Sequence, residues 1–229
     1  HNFQSVRVLT RLEEGYGEFG GLNLTFPVLE GILKHTSIFP KNSDKKIPVY
    51  YFEIVNSKEF FIDQPFSVTL EGQIVALADE IAQKCHDVED AIVGDFERKK
   101  IILAHLEELI NSGILKGIES QDCIGFNNRV AFIKPDHIKK FTSWIIGKII
   151  LDAIERIKIN MLSYMEKYSR VKIVTSWYPI IEEIATDKVL KGNLVFDKLN
   201  EIQKDFIINN QKIDRENGKS RFILRRIIK

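Results

Sequence analysis

Apolar residues recur at intervals of three and four along most of the chain, the period of an α-helix that buries one face. Phe3, Val6, Leu9 and Leu12 hold this spacing, and the pattern stops at the glycine-rich GYGEFGG after Glu14. A first helix is therefore predicted over 1–14. Thr25 then reads as an N-cap, with Pro27 in the first turn. Val28, Leu29, Ile32 and Leu33 follow as the buried stripe of a short helix running to His35. Longer helices are predicted from Ser67 to about Val93, from Phe96 to Ser112 where Gly113 stops it, and from His137 to about Tyr168 behind Asp136 as N-cap. Ile138, Phe141, Ile145, Ile149 and Ile157 are the apolar positions of the last of these. Shorter helices fill the C-terminal third.

Two stretches depart from the helical period. Between Thr36 and Pro65, VYYFEIV and EFFID flank the polar NSK, an arrangement that suits a small β-hairpin. The mixed run GILKGIESQDCIGFNNRVAF suits a loop with a short strand. No internal repeat or low-complexity linker occurs. The expectation is an all-α fold, a helical bundle in a single helical domain over 1–229, with a small β-hairpin.

The helix predicted after Ser67 carries an acidic stripe. In ADEIAQKCHDVED, Asp79, Gln83, His86, Asp87 and Asp90 line one helix face, while Ile74, Val75, Ala78, Ile81 and Ala82 supply the apolar remainder. Two readings stand. If the acids face inward they need a cation, a partner or a polar ligand, because an unpaired buried carboxylate is costly. If they face water they are the solvated side of an amphipathic helix.

Composition narrows the class. With 229 residues and 44% hydrophobic content, the chain can bury one substantial core. Thirty-three basic and 32 acidic residues leave a net charge of +1, which gives no whole-chain attraction to nucleic acid or to a membrane surface. Two cysteines, Cys85 and Cys123, make no disulfide framework and no CxxC, which fits a reducing cytoplasm. There is no run of about 18 apolar residues and no basic segment leading into an apolar core, so neither a membrane span nor a signal peptide is expected. The chain opens on His1 and closes on RFILRRIIK, and both ends read as cut from something longer.

Three segments in order, HNFQSVRVLTRLE, GLNLTFPVLEGILKHT and TLEGQIVALADEIAQKCHD, resemble the deoxyguanosinetriphosphate triphosphohydrolase family of HD-domain phosphohydrolases. The tail QKIDRENGKSRFILRRII is similar to that family more loosely. The resemblance implies an HD-domain helical bundle and a metal-dependent hydrolysis of deoxynucleoside triphosphates to deoxynucleoside and inorganic tripolyphosphate. It implies a divalent ion (Mg, Mn, Fe, Co or Ni) held by two histidines and two aspartates, the last of them at Asp79. It places Gln83 and Asp87 near the sugar of the bound nucleotide, and His1 near its phosphates. It also implies a homo-oligomer; the cytoplasmic setting is the expectation from cysteine usage, and a regulatory nucleotide could be a further partner.

Helical geometry is compatible with this placement, since residues at i, i+4 and i+8 stack along one face with a rise of about 6 Å per step. A carboxylate at Asp79 is a hard oxygen ligand, and one at Asp87 accepts a hydrogen bond from a hydroxyl. A histidine at His1 can contact phosphate or protonate a departing 5′-oxygen; packing at the helix start is the alternative. Asn2 and Gln4 read as structural hydrogen-bonding residues. The family's HDxGHxPFGH-type segment is absent, so His86–Asp87 is not its metal dyad, and a lone Asp79 makes no metal site. These residues alone are expected to lack hydrolase activity, as the downstream part of a complete enzyme. Gln83 stands where the family carries tyrosine, removing a phenolic hydroxyl from the sugar contact.

Other groups have ordinary readings. Lys34 suits the helix dipole as well as a phosphate, and His35 shares that position. His105 and His137 have no clustered partners. Lys219, Arg221, Arg225 and Arg226 read as a solvated face that a regulatory phosphate could also use. Two other function classes fit the same scaffold: an HD-type phosphohydrolase acting on another nucleotide, and a non-catalytic nucleotide-binding oligomer module.

Overall fold

The computed structural model describes residues 2–14, 17–18, 20–36, 65–94, 102, 104–106, 108, 135–168 and 182–208. Among them every regular element is helical. We number the α-helices α1 (Asn2–Arg7), α2 (Phe26–Lys34), α3 (Leu70–Gly94), α4 (Pro135–Tyr168) and α5 (Leu194–Ile202). A π-helical stretch, Val8–Leu12, continues α1; a 3₁₀ turn, Asp187–Leu190, precedes α5; a second π-helical stretch, Gln203–Ile208, continues it. The all-α expectation is met. The hairpin and the short strand fall outside the described residues. Of the helix expected over 96–112, only 102, 104–106 and 108 are described, and all are helical.

The chain divides into two compact units. The first comprises 1–80 and 153–189, the second 81–152 and 190–229, with the divisions falling inside α3 and α4.

In the first unit, Val6, Leu29, Leu33, Val68, Leu77, Ile184 and Val189 are buried. Asn2, itself buried, donates from Nδ2 to the Leu33 carbonyl at 2.7 Å, supplying a partner to a C-terminal carbonyl of α2 that the helix leaves open. The structural role expected of Asn2 is thus observed; Gln4 is exposed. Two glycines set the approach of α2 to α3: a Cβ built on Gly31 would lie 3.4 Å from the Gly72 Cα. Gly21 turns the chain after the first π-helical stretch at φ +83°, where a Cβ would meet the Leu9 carbonyl oxygen at 2.4 Å.

In the second unit, Ile81, Cys85, Val88 and Ile92 of α3, Phe141, Ile145 and Ile149 of α4, and Val195, Phe196, Leu199 and Ile202 of α5 are buried. Asn193 caps α5 by accepting from the Phe196 amide at 2.9 Å, and its Nδ2 donates to Asp152 at 2.8 Å. Gly192 supplies the preceding turn at φ +74°.

Several buried faces differ from those expected. On α2, Val28 is 47% exposed, whereas Glu30 and Lys34 are buried. Two charges occupy the stripe because they neutralise each other. On α3, Ile74 and Val75 are 43% and 56% exposed, and Ala78 is exposed. The side turned from water is Gln73, Leu77, Ile81, Cys85, Val88 and Ile92, a clean succession of fours and threes. Helix α4 starts at Pro135 instead of His137, with the proline in its first turn; Ile157 is only half-buried.

Candidate functional site

Asp79, Gln83 and Asp87 share one face of α3, as their spacing requires. Asp79 and Gln83 are exposed and Asp87 is half-buried; His86 and Asp90 beside them are exposed. Among the described residues Asp79 and Asp90 stand away from the core side of α3, which lies along Gln73, Leu77 and Ile81. His1 lies outside the described residues.

Asp87 has a defined partner. The Gln203 side chain, buried in the second unit, donates from Nε2 to Asp87 Oδ2 and accepts at Oε1 from Lys84 Nζ. Lys84 and Asp87 sit three residues apart on α3, and Gln203 reaches them from the first residue of the C-terminal π-helical stretch. Nothing in the sequence marked Gln203. Its partners are 119 and 116 residues distant along the chain, a separation that helical periodicity does not encode.

The first unit holds a cavity of about 440 Å³ with Lys34, His35, Ser67, Gln73, Glu80 and Lys188 among its lining residues. Lys34 does not end α2 as a solvated lysine. Its Nζ lies 2.5 Å from Glu30 Oε1, and neither side chain reaches solvent appreciably. Glu30 uses its other oxygen to accept from the Val68 amide at 3.1 Å. His35 donates from Nδ1 to the Ile32 carbonyl at 2.6 Å, which fixes the proton-bearing nitrogen, since a carbonyl can only accept. Lys188 lies 2.9 Å from Glu183, and that hydrogen bond raises its pKa above the ordinary lysine value. Each ammonium group of this cavity is thus matched by a carboxylate. A phosphate reaching Lys34 would compete with Glu30.

Gln73 closes one wall of the cavity with all four of its strong hydrogen-bonding positions in use. Its Nε2 donates to the Ser67 and Glu182 carbonyls, each at 3.0 Å, and its Oε1 accepts from the Ile184 and Ala185 amides, each at 2.9 Å. A signal for Gln73 was present: it is the polar member of the buried line that continues through Leu77 and Ile81. The Glu30–Lys34 pair had the matching signal, opposite charges at i and i+4 on a helix with an apolar stripe.

The described residues do not complete a metal site. Among them no three His, Cys, Asp or Glu side chains are grouped so as to hold an ion, and a single exposed carboxylate at Asp79 is insufficient. Among the described residues no helix is long and apolar enough to cross a membrane.

Comparison with known proteins gives one consistent answer. The chain is 31% identical over 166 residues to a deoxyguanosinetriphosphate triphosphohydrolase-like protein of Rhodopseudomonas palustris (strain BisB5), covering 69% of this chain and 39% of that protein. It is 32% identical over 171 residues to the protein of that name from Thiobacillus denitrificans, covering 71% and 38%. With the Wolinella succinogenes protein of that name the identity is 39% over 115 residues, covering 50% and 27%. The chain spans about two fifths of the length of the first two relatives. No family model matches the chain, and no solved structure matches it.

Proposed function

Because the chain belongs to the deoxyguanosinetriphosphate triphosphohydrolase-like family, we propose that it is the downstream helical part of an HD-domain enzyme that hydrolyses deoxynucleoside triphosphates to deoxynucleoside and inorganic tripolyphosphate. The observation that carries the reading is the similarity over 69% of the chain to a protein of that name. The shared α3 face of Asp79, Gln83 and Asp87 is compatible with it.

In this reading Asp79 is one ligand of a divalent ion (Mg, Mn, Fe, Co or Ni), and the other ligands lie beyond the described residues. Asp87 accepts a hydrogen bond from a sugar hydroxyl through the oxygen that Gln203 leaves open. Gln83 offers the sugar an amide in place of an aromatic ring. Water adds at the α-phosphorus, the bond to the 5′-oxygen breaks, and His1 gives that oxygen its proton. The enzyme acts in the cytoplasm as a homo-oligomer, with a second nucleotide as regulator.

The test is to express the full-length protein and incubate it with each deoxynucleoside triphosphate plus manganese or magnesium, resolving the products by ion exchange. Tripolyphosphate with free deoxynucleoside supports the reading, provided that Asp79→Ala abolishes it. Pyrophosphate or orthophosphate would point to another phosphohydrolase, and binding without turnover to a nucleotide-binding module.

A further inference from the structure

The bridge from Lys84 through Gln203 to Asp87 is chemically one-directional. Lys84 Nζ can only donate, so the Gln203 atom facing it must be the amide oxygen; an ionised Asp87 can only accept, so the atom facing it must be the amide nitrogen. The two neighbours together fix which way round the Gln203 amide stands. Burial of Gln203 removes water as a competing partner. One Asp87 oxygen is thereby held and the carboxylate plane is restrained, which aims the second oxygen.

We propose that Gln203 is a positioning residue for substrate binding: oriented by Lys84, it presents the Asp87 carboxylate to the sugar hydroxyl of the nucleotide. This rests on the reading of Asp87 given above. All three residues belong to the second unit, and the bridge also joins the C-terminal π-helical stretch to α3 by way of side chains that carry no apolar signal.

The experiment compares KM and kcat of the full-length enzyme for a 2′-deoxynucleoside triphosphate and for its 2′,3′-dideoxy counterpart, which lacks the hydroxyl. Wild type should favour the hydroxyl-bearing substrate. Gln203→Met, similar in shape but without either hydrogen bond, should raise KM about tenfold for the deoxynucleotide and leave the dideoxynucleotide unchanged, with kcat little affected. Gln203→Glu keeps an acceptor for Lys84 but offers Asp87 another carboxylate, so its penalty should be at least as large. Lys84→Met spares the buried position and should give a smaller shift in the same direction, which keeps the test decisive if the Gln203 variants fold poorly.

The ways of failing are separable. A wild-type enzyme that hydrolyses both substrates with equal KM would remove the Asp87 reading and the proposal with it. A wild-type preference that survives in both Gln203→Met and Lys84→Met would overturn the proposal alone. Equal losses on both substrates would mean that Gln203 merely supports the fold.

Discussion

Lys34 and Glu30 stand one helical turn apart on α2 as an ion pair withdrawn from solvent, at 2.5 Å. Such a pair is far more sensitive to losing one member than to losing both charges, because a lone charge left in the interior has no water to stabilise it. Lys34→Met should destabilise the protein by about 3–5 kcal/mol. Adding Glu30→Gln removes the stranded charge and retains an oxygen for the Val68 amide, so the double variant should recover part of the loss. Urea denaturation of the three proteins measures the difference. A double variant less stable than Lys34→Met would refute the account.

Gln73→Leu should open the segment after Glu182 without unravelling α3. The substitution strands the Ile184 and Ala185 amides and frees the Ser67 and Glu182 carbonyls. At about 1–3 kcal/mol for a stranded buried group, the total should reach several kcal/mol. Amide hydrogen exchange should quicken first at Ile184 and Ala185. Exchange unchanged at those two positions would show that the bonds contribute little.

Gly72→Ala should destabilise the protein although alanine is the better helix former. The added Cβ would lie 2.2 Å from Ser67 Oγ and 2.6 Å from Ser67 Cβ. Overpacking of this kind costs about 1–3 kcal/mol, against a propensity gain of about 1 kcal/mol. Ser67→Gly in the same chain removes the two nearest atoms, leaving Thr69 Oγ1 at 2.9 Å, and should raise the melting temperature of the Gly72→Ala protein.

Cys85 should behave as an inert thiol. Burial, reinforced by the nearby Glu89 charge, pushes its pKa from an ordinary 9.0 up to about 12. The folded state therefore keeps a proton that the unfolded state releases. Its contribution to stability is fully present below pH 9 and is lost as pH rises toward 12. In a Cys123→Ser background, a disulfide reagent at pH 8 should modify Cys85 only at the rate of unfolding. Rapid stoichiometric labelling of the folded protein would contradict the burial.

The helices were legible in the sequence because each repeats its apolar positions several times, so α2, α3 and α4 emerged close to their observed bounds, whereas the helix expected over 1–14 is α-helical only over Asn2–Arg7 and π-helical over Val8–Leu12. Which face each helix buries was less legible. On α3 the exposed Ile74 and Val75 are as apolar as the buried Leu77 and Ile81, and composition cannot rank them. On α2 the buried stripe includes a carboxylate and an ammonium that a hydropathy pattern assigns to water. Asp79, Gln83 and Asp87 could be placed on one face from spacing alone. Gln203 could not, since it meets α3 only after more than a hundred intervening residues.

Gln73 fastens Ile184 and Ala185 across 111 and 112 residues of chain, within a unit assembled from 1–80 and 153–189. During synthesis the early half of that unit leaves the ribosome with three of the four Gln73 partners, at Glu182, Ile184 and Ala185, not yet made. Helices α1 and α2 and the start of α3 can pack on one another at once, whereas the side of α3 that carries Gln73 and Leu77 waits until the chain has been extended past 185. The nascent protein thus passes through a long interval in which a growing chain exposes apolar surface, and slowing elongation between 81 and 152 would lengthen that interval instead of aiding the fold.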